Sequence, residues 1–149
     1  MTLLESIKKA LTDRKIIYQE KGNNLIFNFG IEGKFDQGVC LITVNDHDYS
    51  VQSSLMVQIK EPAYDSILQF LTLANSESEY GYFLLDRQNG VIEHIVKVDC
   101  EDSEPSDEVL ETSLTLGIKL YGAYGFSTAF YYLMAGILTP ESAMDLVRR

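Results

Sequence analysis

Between Leu71 and Val98 the chain reads LTLANSESEYGYFLLDRQNGVIEHIVKV, and this stretch limits the fold more than any other. It predicts the end of a helix, a short loop, a strand, a tight turn and a second strand. Tyr80 to Leu85 is aromatic and aliphatic, and Val91 to Val98 is rich in β-branched residues, as strands prefer. Arg87-Gln88-Asn89-Gly90 separates the two runs, and Asn and Gly accept a positive φ cheaply, so the pair forms a hairpin. On the second strand Ile92, Val96 and Val98 share a face with His94, while Glu93 and Lys97 share the other with Val91 and Ile95. One dry face and one wetter face suit an antiparallel sheet.

The rest of the chain arranges itself on that unit. Thr2 and Glu5 have the spacing of a capping box, and Leu4, Ile7 and Leu11 carry a first helix to about Arg14. Ile16-Ile17-Tyr18 begins a short strand that Gly22-Asn23-Asn24 stops. Leu25, Phe27, Phe29 and Ile31 alternate along the next strand. Val39 to Val44 is nearly all apolar, which predicts a central strand covered on both faces. The clearest period of two runs from Tyr49 to Lys60 and predicts one long strand. Pro62 opens a second helix striped by Tyr64, Ile67, Leu68, Leu71 and Ala74. After the hairpin comes an acidic linker, Glu101 to Pro105. Ser106 caps a long third helix, from about Asp107 to about Ala135, with Gly136 as its stop. Thr139-Pro140-Glu141 starts a fourth, whose negative end suits Arg148 and Arg149. The expected fold is α+β: a two-layer sandwich in one domain, 1–149, with one curved antiparallel sheet of about five to six strands packed by helices. The expected order is α-β(3-4)-α-β(2)-α-α.

Leu120 to Leu138 is 19 residues without a charge, the length of a membrane span. Four tyrosines and three glycines within it favour a helix buried in protein, since Tyr prefers the membrane interface to its middle. Gly122, Gly125, Ala129 and Gly136 leave one side of that helix almost bare, with Tyr121, Tyr124 and Tyr132 around it. That side meets either the protein's own sheet or a partner subunit, and a break near Gly122 to Gly125 is a third reading. These seven residues form the candidate interface.

Net charge is −10, from 22 acids against 12 bases. Repulsion from phosphates opposes nucleic acid and anionic membrane surfaces as partners. Cys40 and Cys100 are expected to be free thiols in a cytoplasmic chain, and the N-terminus has no apolar signal segment. His47 lies between Asp46 and Asp48, which a solvated turn explains better than a metal site. His94 shares a face with apolar residues and reads as a packed histidine, not a base. The acids from Asp99 to Glu111 lack the spacing of a calcium loop. Phosphate-loop, dinucleotide, nucleophile-elbow, HExxH and CxxC motifs are absent. Neither a catalytic residue, a cofactor nor a metal is expected.

Asn75 after the second helix, Gly81 and Phe83 in the strand, Asp86 and Gly90 in the turn, and Val98-Asp99 at the hairpin's end make a pattern. The long third helix and Thr139-Pro140-Glu141-Ser142-Ala143 extend it. The pattern resembles the bacterial YbjN-like family, whose members are labelled sensory-transduction regulators and whose fold resembles type III secretion chaperones. Glu93-His94 stand where many members carry an aromatic-Arg pair. The resemblance implies a two-layer α+β domain, often a homodimer, with no catalytic residues to transfer. The leading expectation is a non-enzymatic, cytosolic protein-binding or regulatory domain, a homodimeric chaperone-like adaptor with a protein or peptide partner. Two alternatives stand beside it: a small-molecule or peptide sensor whose pocket is lined by Phe27, Tyr49, Phe83 or Tyr124, and a hydrolase with a site assembled from scattered residues.

Overall fold

The computed structural model describes residues 1–101 and 103–148, so Asp102 of the acidic linker and Arg149 at the last helix's end lie outside the described residues. Six strands form one sheet in the order β1-β2-β3-β4-β6-β5, every neighbouring pair antiparallel. The strands are β1 Gln19–Lys21, β2 Asn24–Gly30, β3 Gln37–Val44, β4 Asp48–Leu55, β5 Tyr82–Asp86 and β6 Val91–Asp99. The helices are α1 Leu3–Asp13, α2 Tyr64–Ser76, α3 Asp107–Tyr121, α4 Phe126–Met134 and α5 Pro140–Val147. The α+β sandwich is as expected. The order ends in three helices where two were expected.

Local chemistry fixes several boundaries. Thr2 and Glu5 exchange both bonds of the capping box at α1, and Thr139 and Ser142 do the same at α5. Ser106 Oγ accepts from the Val109 amide at the start of α3. In the β5–β6 turn Gly90 has φ +68° and its amide donates to Asp86 O at 2.7 Å. Asn75, in the last turn of α2, pairs with the outer edge of β5 as a strand would. Its Nδ2 donates to Phe83 O at 2.8 Å and its Oδ1 accepts from Phe83 N at 2.7 Å. That satisfies part of an edge otherwise open to another chain.

Four expectations are corrected. The first strand begins at Gln19, not Ile16, because the exit from α1 uses the intervening residues. Lys15 takes φ +59° and the Ile16 amide bonds back to Leu11 O at 3.0 Å. β4 ends at Leu55, not Lys60. Its neighbour β3 begins at Gln37, whose carbonyl accepts from Met56 N at 3.0 Å, so the chain beyond has no strand to pair with. The predicted third helix is two helices. α3 ends at Tyr121 with Gly122 as its C-cap, and Gly125, at φ +85°, is the N-cap of α4. The apolar run Leu120 to Leu138 is therefore not one helix, and among the described residues no helix is long and apolar enough to cross a membrane. Finally, β3 is buried on one face only. Cys40, Ile42 and Val44 are buried, while Val39, Leu41 and Thr43 on the other face are half-buried.

The helices gather on a single side of the sheet. Gly117 of α3 rests on Ser53, Phe126 of α4 packs on Phe83, and Lys8 of α1 pairs with Glu20, which shares a sheet face with Leu25. The core lies between these helices and the inner face.

Candidate functional site

The strand registers line up one row across the inner face: Phe27, Cys40, Ser53, His94 and Phe83. α3 closes over its middle. A Cβ on Gly117 would fall on Ser53 Oγ and lie 2.5 Å from Ser53 Cβ. The helix therefore sits closer to β4 than any side chain would allow. An exposed helical Gly→Ala change gains up to about 1 kcal/mol, whereas overpacking costs about 1–3 kcal/mol. G117A is thus expected to lower stability by about 2 kcal/mol in urea denaturation, and adding S53G to recover more than half of that. A stabilising G117A would contradict the docking of α3 on β4.

Along α3 the buried polar groups find partners. Tyr49 Oη and Ser113 Oγ are 2.7 Å apart, and Tyr121 Oη donates to Ser53 O at 2.8 Å. His94 differs. Its Nε2 is buried without a hydrogen-bond partner among the described residues. The ring meets Phe83 edge-on at 4.8 Å, and Gly81 covers it so closely that a Cβ there would lie 2.8 Å from Cε1. Burial lowers the His94 pKa to about 4, because charging the ring would strip it of water without compensation. Burial also pushes the Cys40 thiol up to about 12, against a hydrogen bond from Ser53. Cys40 at 0%, Ser53 at 2% and His94 at 1% exposure are closed off from solvent. The groups resemble a nucleophile and base in type but serve as packing.

Two of the solvent-facing surfaces bring together apolar side chains from several elements. One is a cleft of about 420 Å³ where α2, β5, α4 and α5 converge. Its walls include Ala74, Phe83, Leu120, Phe126, Met144 and Val147. An ion pair spans its mouth, with Arg148 Nη2 donating to Glu77 Oε2 at 2.6 Å and Nε to Oε1 at 3.2 Å. The other is the outer face of the sheet, on which no helix packs among the described residues. Its central row is Ile26, Leu41, Gln52, Ile95 and Tyr82. On the rows either side of it, Glu93 and Lys97 are the charged side chains that β2 to β6 contribute.

The predicted pocket residues separate. Phe83 lines the cleft, Phe27 is buried in the core, and Tyr49 is buried at the other end of the sheet beside His47 and Asp48. Tyr124 is 38% exposed in the α3–α4 turn. The seven candidate interface residues do not share a face either. Tyr121 and Ala129 are fully buried, Gly122 and Gly125 form the break, Tyr132 is half-buried, and Tyr124 and Gly136 are exposed. Asp46 and His47 are exposed in the β3–β4 turn, where Asn45 Nδ2 donates to Asp48 Oδ1 at 2.6 Å. Among the described residues no three His, Cys, Asp or Glu side chains converge as metal ligands would. Both cysteines are free. Sequence reasoning missed the cleft, although Phe126, Met144 and Val147 carry a signal as apolar residues near helix ends. It missed the open sheet face as a surface, though the alternation along β6 displayed it.

The class defined so far is an α+β domain with an all-antiparallel sheet and its helices on one side. No family model matches the sequence, and no curated protein matches it either. In shape the chain is similar to the crystal structure of YbjN from E. coli, provisionally assigned as a transcription regulator. The TM-score is 0.57 at 14% identity, over 98% of this chain and 96% of that one. A likeness at that identity shows a YbjN-like fold. It does not bear on the type III secretion chaperones that the sequence pattern brought in.

Proposed function

We propose that this chain is a protein-binding regulatory domain that works as a homodimer in the cytosol, a chaperone-like adaptor with no chemical step of its own. The observation that carries the reading is the open sheet face, whose central row is apolar or aromatic except at Gln52 and whose flanking rows carry only Glu93 and Lys97 from β2 to β6, in a chain where 23% of residues are charged. Protein interfaces are depleted of charge at their centres in this way. The YbjN-like fold supports the reading, since that neighbour is provisionally assigned as a transcription regulator. The sealed Cys40–Ser53–His94 row supports it as well. Light scattering tests it. At micromolar concentration the expected species has twice the chain mass of 16.8 kDa, and a species of 16.8 kDa at every concentration would contradict it.

The cleft favours a second reading, a sensor for a small apolar molecule or peptide side chain. A metabolite that raises the melting temperature, and no longer does so in L120W, would favour it. A panel without such a compound would count against it.

A further inference from the structure

Among the described residues no helix covers the open sheet face, yet its sequence is that of a covered surface. Val39 and Leu41 on β3, Ile26 on β2, Ile95 on β6 and Leu84 on β5 all point outward. The apolar run of β3 is suited to burial on both faces, yet its outward residues Val39, Leu41 and Thr43 are only half-buried, since the helices cover one face.

The two charges that β6 places either side of the central row have a symmetry of their own, while Lys21, Asp48, Asp86 and Asp99 lie towards the margins of the same face. Glu93 and Lys97 lie on β6 two residues either side of Ile95, all three pointing outward. Consider a two-fold axis in the plane between two stacked sheets, running across the strands along the row Ile26–Leu41–Gln52–Ile95–Tyr82. It lays each strand over its own copy in the reverse direction. Ile95 then meets Ile95, and Glu93 of each copy meets Lys97 of the other, twice over. A two-fold interface needs this self-complementarity, in which residue i faces j and j faces i. At about 4.8 Å between strands and about 3.4 Å per residue, six strands of about seven residues present roughly 700 Å². Two copies then bury roughly 1,400 Å², within the range of a standard stable interface, in the aligned packing of two sheets.

We infer that the outer sheet face is covered by a second copy of this chain, sheet against sheet, with the two-fold along the Ile26–Tyr82 row and Glu93 paired with Lys97 across the interface. The inference rests on the homodimer reading above and adds its geometry.

Sedimentation equilibrium of the full chain tests it, on wild type, E93K, K97E and the exchange E93K/K97E, with circular dichroism to show that each variant folds. Each single change sets like charges against each other in both pairs and is expected to weaken dimerisation about tenfold or more. The exchange restores opposite charges under the same two-fold and is expected to return the dissociation constant to within about threefold of wild type. A dimer indifferent to all three variants would overturn this interface and leave the homodimer standing. An exchange no better than the single changes would overturn the two-fold assignment. A monomeric wild type would overturn both the inference and the reading it rests on, and would leave the face to a different protein.

Discussion

Replacing Phe83 by Ala is expected to cost about 3–5 kcal/mol of stability, at the upper end for a core truncation. Phe83 is 5% exposed on edge strand β5 and holds that end of the sheet to the helices. Its ring lies 4.8 Å from Phe126, 4.8 Å from His94, 5.8 Å from Tyr121 and 5.9 Å from Phe130, centroid to centroid. Truncation removes the transfer free energy of the ring and leaves a cavity bounded by rings that cannot easily close over it. The Asn75 bonds go to the Phe83 main chain, so they survive the change and the loss is one of packing. Domains of this size have about 5–15 kcal/mol in all, so this change consumes a large share. In urea denaturation the midpoint should fall with the slope unchanged. A loss below about 1 kcal/mol would mean that β5 is not part of the core.

The second large effect is a loss of stability in mild acid. His94 has an ordinary pKa of 6.5, lowered to about 4 by burial. The unfolded chain therefore takes up a proton at a pH where the folded chain does not, and stability falls as pH drops from about 6.5 towards 4. The full difference is about 3 kcal/mol, of which roughly 2–3 kcal/mol is lost between pH 7 and pH 4.5. The exposed acids Glu5 and Glu77 have lowered pKa values, from hydrogen bonds to Thr2 and Arg148 respectively. Their contributions disappear only below the ordinary value of 4.5, outside this window. Glu93, raised by burial, works in the opposite sense. His94→Leu keeps the side chain apolar and near in size, and should flatten the profile between pH 7 and 4.5. An unchanged slope in that variant would show that another group is responsible.

Much of this fold is legible in the sequence where local chemistry decides it. Asn89-Gly90 writes the hairpin turn, Thr2 with Glu5 writes a helix start, and the period of two along β6 sorts Ile92, His94 and Val96 from Glu93, Ile95 and Lys97. What is not legible depends on distant partners. The period of two continues to Lys60, but β4 stops at Leu55 because β3 supplies no more backbone to pair with. No residue between Leu120 and Leu138 is charged, so composition alone hides the turn at Gly122–Gly125 that separates α3 from α4. Phe27, Tyr49 and Phe83, expected to line a pocket, all lie on the inner sheet face, yet of the three only Phe83 borders the cleft, because the sequence does not state where α4 and α5 settle. Ile95 between Glu93 and Lys97 reads as a half-wet strand face, and its two-sided charge pattern acquires meaning only once the neighbouring strands are known.

A mixed sample of ¹³C-methyl-labelled and unlabelled chains offers the most direct test that the bare side of the sheet is where two copies meet. Nuclear Overhauser contacts filtered for pairs between differently labelled copies should arise from the methyl groups of Ile26, Leu41 and Ile95, and not from Leu25, Ile42 or Val96 on the inner face. Intermolecular contacts confined to α3 and α4, or none at all in a sample of twice the chain mass, would contradict it.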